Sequence, residues 1–377
     1  MDSAELIYRD LQRHLDKQPI GFPPTKSAAE LAILKRLFAP ESARLALHLD
    51  YRLSSAEQVY ERAKSAGVSL ADVERMLEEM RAAGAIAHVE REGRHHYHLI
   101  PLIVGMYEYQ AATLTPEFLA DMSAYTRERA FGLGMISTEI PQMRTIPVEK
   151  GVRVEHGVAH YDALAELLNE SEGPFAVGEC ICRKAARLQG KTCKQTSRLE
   201  TCMGIGDMAA QFSDAPGWRL ITREEALEIA RLNQSEGLVL EPSNNQKIDF
   251  LCACCGCCCG MLGSLKSLPK PVDFWATNYH SAVDAALCTS CGACVERCPM
   301  EAVSLADGPA VSRTDLDRCI GCGVCVPHCS AGARSLSRKS RETVPPLDLQ
   351  DQYETIMAHK KGGLGKMKVV AKLVLKI

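Results

Sequence analysis

Two short stretches of the chain share one cysteine pattern: CTSCGACVERCP at residues 288–299 and CIGCGVCVPHCS at residues 319–330. The second copy begins 31 residues after the first, and both have the spacing C-x2-C-x2-C-x3-C. Three closely spaced thiols can wrap one corner of a metal–sulfur centre, and Gly292, Gly321 and Gly323 let the backbone amides turn towards it. The repeat therefore predicts two neighbouring metal centres.

This pattern resembles the ligand run of bacterial ferredoxins, which hold two 4Fe–4S clusters. The resemblance implies that the fourth cysteine of each copy binds the other cluster. It assigns eight cysteines to two clusters: Cys288, Cys291, Cys294 and Cys329 to the first, and Cys319, Cys322, Cys325 and Cys298 to the second. Zinc is not favoured, because a zinc site pairs two CxxC units into one tetrahedron and does not repeat an eight-cysteine block.

The remaining sequence bounds the class of protein. A chain of 377 residues is too long for one core, so about two to four domains are expected. The hydrophobic fraction of 46% and charged fraction of 24% are typical of a soluble protein, and the net charge of −3 excludes no partner. The N-terminus does not read as a signal peptide, and no apolar run of about 18 residues predicts a membrane helix. We therefore expect a cytoplasmic location.

Eighteen cysteines in a cytoplasmic protein point to metal ligation, because that compartment keeps thiols reduced. Ten remain after the eight above: Cys180, Cys182, Cys193, Cys202, Cys252, Cys254, Cys255, Cys257, Cys258 and Cys259. Basic residues such as Arg183 and Lys184 are interleaved with the first four. These cations, and a helix starting at Cys182, are expected to lower the thiol pKa values and to offset an anionic cluster.

Three arrangements of these ten thiols stay open. Two further cubes would use eight thiols and leave two spare. Two clusters with five cysteine ligands each would use all ten. The doubled CCG at 254–256 and 258–260 resembles the CCG domains of heterodisulfide reductases, which hold such noncubane clusters, but its spacing differs. One cluster plus reactive thiols is the third arrangement. Adjacent cysteines cannot all face one metal, so more than one further centre is favoured, and one or two additional iron–sulfur clusters are expected.

A wider resemblance rests on four motifs: CxCR at 180–183, LETC at 199–202, TREEAL at 222–227 and CACCGCCCG at 252–260. Together they resemble a family of 4Fe–4S-binding proteins in which a winged-helix-like N-terminus precedes a cysteine-rich middle and a dicluster ferredoxin module. The resemblance covers nearly the whole chain. It implies iron–sulfur binding but no particular reaction.

The N-terminal part predicts three helical segments followed by a hairpin, at 27–50, 54–67, 69–86 and 87–100. This order resembles a winged helix-turn-helix domain. The third helix carries four acidic residues against Arg75 and Arg81, which disfavours DNA binding because a recognition helix lies beside phosphates. Four histidines on the hairpin are expected to be solvated, not metal-bound: His88, His95, His96 and His98.

The middle of the chain predicts helices at 115–132, 161–171 and 221–239, and a short extended piece leading into a basic helix near Cys182. A further hairpin is expected over 152–161, and another turns at Asp307-Gly308. GIGDMA at 204–209 fits G-x-G-x-x-A, but it follows Cys202 and not a predicted strand, and no acidic partner follows it in a βαβ unit. A dinucleotide fold is therefore not favoured. Flavin or nicotinamide would be bound by a partner.

The fold class expected is α+β multidomain. Its parts are a winged-helix-like domain at 1–112, an α-rich cysteine-rich domain at 113–277, a ferredoxin-like dicluster domain at 278–338 and a basic tail at 339–377. The tail contains six lysines after Thr355, with Lys368, Lys372 and Lys376 on one predicted helical face. This tail could dock on an acidic partner or a membrane surface.

The function that the sequence favours is electron transfer, by a carrier or a subunit of an oxidoreductase that serves redox partner proteins such as a flavoprotein. Two alternatives keep the same relay. One is a redox-sensing regulator that uses the winged-helix-like domain, and the other is an iron–sulfur reductase whose active site is the cysteine-rich middle.

Overall fold

A computed structural model describes residues 3–138, 140–149, 159–305, 311–362, 365 and 369–371. The chain forms two compact units. The N-terminal unit consists of residues 3–138, 210–219 and 353–362. The cysteine unit consists of residues 140–149, 159–209, 220–305 and 311–352, and it contains all 18 cysteines. The four-domain division of the sequence stays a prediction.

The helices of the described residues are α1 (Ser3–Asp16), α2 (Ala29–Leu37), α3 (Pro40–Ala46), α4 (Ala56–Ala63), α5 (Leu70–Ala82), α6 (Tyr107–Tyr109), α7 (Pro116–Thr126), α8 (Arg129–Met135), α9 (Leu164–Glu170), α10 (Ile181–Leu188), α11 (Asp207–Phe212), α12 (Arg223–Ser235), α13 (Gly260–Lys266), α14 (Ala293–Arg297) and α15 (Leu349–Ala358). The strands are β1 (Ser54–Ser55), β2 (Ile86–Arg91), β3 (Arg94–Leu99), β4 (Phe175–Glu179), β5 (Glu200–Ile205), β6 (Trp218–Ile221), β7 (Val239–Pro242), β8 (Phe250–Cys254), β9 (Tyr279–Val283), β10 (Val303–Leu305), β11 (Ser312–Thr314) and β12 (Arg334–Arg338).

The N-terminal unit has the predicted order of helices and hairpin. Ser55 and Ser69 cap α4 and α5 through reciprocal capping boxes. The hairpin β2–β3 forms a three-stranded antiparallel sheet with β1. The predicted segment 27–50 is divided into α2 and α3 because Pro40 starts a new helix at its first position. The winged-helix assignment itself stays a prediction.

The arginines of α5 and the histidines of the hairpin lie in different surroundings, and the expectation that α5 does not bind DNA stays a prediction. Both arginines of α5 are paired with acids: Arg75 with Asp72 and Glu79, and Arg81 with Glu78. Of the four histidines, His98 is buried, so the expectation that all four are solvated is wrong for this residue.

A five-stranded sheet organises the cysteine unit, in the order β6-β4-β5-β8-β7. The pairs β4–β5, β5–β8 and β7–β8 are antiparallel. The sequence predicts an α-rich middle, whereas the structure has a five-stranded sheet there. GIGDMA does follow a strand, β5, and leads into α11, so that part of the expectation was wrong. Because β5 is antiparallel to β4 and β8, this junction is not the parallel βαβ unit of a dinucleotide fold.

Two short antiparallel sheets, β9–β12 and β10–β11, flank the eight repeat cysteines, which lie in the loops between these strands and in or beside α14. The turn predicted at Asp307-Gly308 lies outside the described residues, as does most of the hairpin expected over 152–161. Near these sheets, the buried Asp162 accepts a hydrogen bond from Asn278 at 2.9 Å and pairs with Arg144 at 3.6 Å. Arg144 also donates to the carbonyl oxygen of Asn245 at 2.7 Å. These bonds connect the chain after β7 to the chain before β9.

Lys368, Lys372 and Lys376 lie outside the described residues. Among the helices that are described, none has the length and apolar character needed to cross a bilayer.

Candidate metal centres

Four repeat cysteines line one cavity of about 320 Å³, and we call them the outer set: Cys288, Cys291, Cys294 and Cys329. Cys294 is buried and Cys291 is exposed, so the cavity reaches the protein surface. Ser312 lies 3.5 Å from the Cys288 sulfur, and this contact lowers the pKa of Cys288 to about 7. The cavity suits a bound group that needs four thiolates and exchanges electrons near the surface.

The other four repeat cysteines form a more buried group, which we call the inner set: Cys298, Cys319, Cys322 and Cys325. Backbone N–H groups donate to two of their sulfurs, from Ser281 to Cys319 at 3.3 Å and from Ala302 to Cys298 at 3.2 Å. Burial raises the pKa of Cys322 well above its usual value. Three buried thiols and the half-buried Cys298, two of them with N–H donors, fit an anionic cluster, because the donors stabilise the thiolate form that burial alone disfavours.

Arg334 lies between the outer and inner sets. It is 3% exposed and lines the outer cavity. Burial raises the pKa of Cys325 to about 11 and the charge of Arg334 opposes that rise, whereas at Cys288 the same charge adds to the lowering of the pKa by Ser312. Its Nη1 donates to Ser281 Oγ at 3.3 Å, so the Ser281 hydroxyl can donate to the Cys325 sulfur, 3.3 Å away. Within the described part of the chain, Nε and Nη2 of Arg334 have no hydrogen-bond partner. A buried cation with unused donors fits a negatively charged group in the cavity.

Residues 287–334 match the family model described as the 4Fe-4S dicluster domain. This segment is a 4Fe–4S dicluster domain. It contains both the outer and the inner set. Searches of the curated proteins and of the solved structures found no match for the chain.

The ten cysteines outside the dicluster domain fall into two groups. Six form a closed ring of neighbouring thiols, the six-thiol set, in the order Cys180, Cys182, Cys259, Cys254, Cys252 and Cys202. The other four lie together and form the four-thiol set: Cys193, Cys255, Cys257 and Cys258. The run CCGCCC is therefore shared between two places, with Cys254 and Cys259 in one set and the residues between them in the other.

Strand alternation brings much of the six-thiol set together. Cys252 and Cys254 lie two residues apart on β8, so they share one face of the sheet. Cys202 lies on β5, which pairs with β8, and its thiol contacts that of Cys252. The N-terminus of α10 and the residue before α13 supply the remaining three thiols.

The pKa values of the six thiols in the ring depend on one another. Contacts with Cys180 and Cys252 lower the pKa of Cys202 well below its usual value, whereas neighbouring thiols and burial raise that of Cys182 well above it. The expectation that the helix start lowers the pKa of Cys182 is therefore wrong. Cys180, Cys254 and Cys259 are buried, and the other three are half-buried. Six thiols this close together can be ionised together only if cations balance them, which fits metal binding.

Arg183 supplies one such cation between the two sets. It is 1% exposed and donates to the carbonyl oxygen of Ala253 at 2.5 Å. Although burial alone lowers its pKa, the thiols of Cys180, Cys202, Cys254 and Cys255 raise it, so Arg183 lies near members of both sets. Arg183 and Arg334 thus have similar positions, each between two groups of cysteines.

Glu241 is a residue of the site that our reading of the sequence missed. It lies on β7 opposite Cys252, it is fully buried, and a carboxylate oxygen lies within 4.8 Å of the sulfurs of Cys254 and Cys259. Burial raises the pKa of Glu241 to about 8. Among the described residues, no hydrogen-bond donor except the Cys254 thiol approaches its carboxylate. A buried acid without donors fits an oxygen ligand beside six thiols.

The four-thiol set is nearer the surface, with Cys255 buried and Cys257 exposed. Although burial alone raises it, the backbone N–H groups of Thr196 and Gln195 lower the pKa of Cys193 to about 7. The loop also lies against the dicluster domain. A Cβ added to Gly256 would lie 2.8 Å from the carbonyl oxygen of Pro299, the residue after Cys298 of the inner set.

This grouping bears on the arrangements left open above. Ten thiols divided six and four do not match two clusters with five cysteines each. They match one four-ligand site and one site with more thiols than a single tetrahedral metal can bind. Glu241, Arg334 and Ser281 carried no sequence motif, and only the register of β7 against β8 could have pointed to Glu241.

Proposed function

We propose that this chain is an iron–sulfur electron-transfer protein, or a subunit of an oxidoreductase. Single electrons pass between the outer and inner clusters of the dicluster domain, and the six-thiol set holds a further iron–sulfur centre. The observation that carries this proposal is the joint placement of two four-cysteine sets around one buried arginine, Arg334. A 4Fe–4S cluster, when bound, accepts and returns one electron at a time.

The outer and inner sets differ in their exposure to solvent and in the hydrogen-bond donors around them, so they have different roles in electron transfer. Cys291 of the outer set is exposed, so this set is the one that a redox partner can approach. The inner set is enclosed and receives N–H and hydroxyl donors, which stabilise added negative charge without solvent. Cys294 and Cys325 pack on the same buried residue, Val303, so the two sets are close neighbours. Short separation favours electron exchange between them.

Further iron in the cysteine-rich middle is supported by the six-thiol set and Glu241. One tetrahedral ion accepts four ligands, so six thiols and a carboxylate indicate a centre with several metal ions. The loop that contains Cys255, Cys257 and Cys258 lies between Cys254 and Cys259 of the six-thiol set in sequence, and its Gly256 lies against Pro299 beside the inner set.

The test is a reductive titration of the full chain, isolated without oxygen and followed by electron paramagnetic resonance. We expect two magnetically interacting reduced 4Fe–4S clusters, whose electrons return in full to a one-electron dye. The variants Cys329→Ser and Cys298→Ser should perturb the outer and inner cluster, respectively, although each cysteine lies in the other sequence copy. A chain without reducible clusters, or clusters that cannot pass electrons to the dye, would contradict the proposal.

A further inference from the structure

The sulfurs of the four-thiol set lie in contact with one another. The Cys193 sulfur lies 3.7 Å from those of Cys255 and Cys257. The Cys257 sulfur lies 3.6 Å from those of Cys255 and Cys258. All four sulfurs lie within 4.8 Å of one another. In the described part of the chain, neither the outer nor the inner set has three sulfurs grouped this closely.

These distances match a single metal ion. Four thiolates bound at about 2.3 Å to one tetrahedral ion have sulfurs about 3.8 Å apart. In a 4Fe–4S cube, each thiolate binds a different iron and points away from the cube, so the four sulfurs are farther apart. The spacing in the four-thiol set therefore corresponds to one ion.

We propose that Cys193, Cys255, Cys257 and Cys258 bind one tetrahedral metal ion, zinc or a lone iron, without inorganic sulfide. A tetrahedral site of four sulfurs is typical of these two metals. Neighbouring groups offset its negative charge: the backbone N–H of Lys194 donates to the Cys257 sulfur at 3.4 Å, and the buried Arg183 lies near Cys255.

This ion would cross-link two segments that are far apart in sequence. Cys193 follows α10, whereas the other three ligands form the loop after β8. Leu238 and Ala253 pack beside this site and close its inner side. Gly256 of the same loop lies against Pro299, the residue after Cys298 of the inner set. The ion would therefore fix the position of the loop that packs beside the inner set. The proposal goes beyond electron transfer through the dicluster domain and does not depend on it.

The first test compares Cys257→Ser with Cys291→Ser in the full chain isolated without oxygen. Both cysteines are exposed, but Cys291 belongs to the outer set. Zinc, iron and acid-labile sulfide are measured per chain. Cys257→Ser should lose about one metal ion and no sulfide, whereas Cys291→Ser should lose iron and sulfide together. Loss of sulfide with several irons from Cys257→Ser would overturn the proposal, and so would unchanged metal content.

A second measurement uses the unmodified chain, so that it does not depend on how the variant folds. If the ion is zinc, X-ray absorption at the zinc edge should show four sulfurs at about 2.3 Å and no nearby second metal. If the ion is iron, the oxidised chain should show a high-spin ferric signal beside those of the cubes. A chain that shows neither signature contradicts the proposal.

Discussion

Arg334 has a buried positive charge beside sulfurs of two cluster sites. Its effect on the reduction potentials of the clusters can be measured separately from its effect on folding. Reduction adds an electron to each cluster, and a nearby cation stabilises that added charge. Arg334 is also close to Cys288 and to Cys325, so one substitution reaches both centres.

We predict that Arg334→Met lowers the midpoint potentials of both clusters in the dicluster domain. Loss of about 1.4 kcal/mol of electrostatic stabilisation corresponds to about 59 mV for a one-electron couple, which sets the expected size. Redox titration with electron paramagnetic resonance measures it. The control is Arg338→Met on the same strand, where the half-exposed side chain pairs with Glu342 instead. Equal shifts in the two variants, or an upward shift in Arg334→Met, would rule out this role.

Glu241 provides a second test at the level of one side chain. We predict that Glu241→Gln lowers the iron content of the cysteine-rich middle and leaves the signals of the dicluster domain unchanged. A neutral amide of nearly the same shape is a poor replacement for a carboxylate ligand. Iron analysis and spectroscopy of the reduced chain measure both effects.

The matched control for Glu241 is Asp249→Asn. Burial also raises the pKa of Asp249, to about 7, but its carboxylate accepts a hydrogen bond from Asn245 at 2.8 Å. This acid should therefore tolerate the amide without loss of iron. Identical iron contents in Glu241→Gln and the unmodified chain would show that Glu241 is not a ligand.

The loop that carries the inner set depends on a close backbone approach. Gly321 has a φ of +66°, and a Cβ at this position would lie 2.3 Å from the carbonyl oxygen of Tyr279 on β9. Since that oxygen belongs to a paired strand, it has little freedom to move. The glycine thus sets the distance between the cysteine loop and the sheet.

We predict that Gly321→Ala loses the inner cluster, measured as iron and acid-labile sulfide per chain. Gly332→Ala is the control for backbone strain alone. Gly332 also has a positive φ, +63°, but no atom lies within 4 Å of its added Cβ, so this variant has the strain without the close contact. The control should cost about 1 kcal/mol of stability and keep its iron. If both variants keep the inner cluster, the close approach is not needed for cluster binding.

The elements differ in how far they could be predicted. Thr222 caps α12 and Ser69 caps α5, at or next to the first residues of the predicted segments 221–239 and 69–86. Local hydrogen bonds decide where these helices begin, so the sequence could predict their starts. The sheet that joins β5, β8 and β7 depends on pairing between distant segments, which helical periodicity does not reveal. The alternation FLCAC at 250–254 was the available signal, since it places Cys252 and Cys254 on one face.

At the scale of the whole molecule, the cysteine spacing of the dicluster domain was the most informative signal in the sequence for the metal sites. It predicted the eight cysteines that line the outer and inner sites, because ligand spacing in this domain is set locally by short loops. The division of the other ten thiols required a fold, since Cys193 meets Cys255 across 62 residues of chain. The role of the N-terminal unit stays a prediction.

The most direct test of the account is the number of irons and acid-labile sulfides per chain in the full-length protein isolated without oxygen. Two cubes in the dicluster domain supply about eight irons and eight sulfides. We predict a total above this, because the six-thiol set holds further iron. A colourless chain without iron, or one that holds only zinc, would contradict the claim that these cysteines carry electrons.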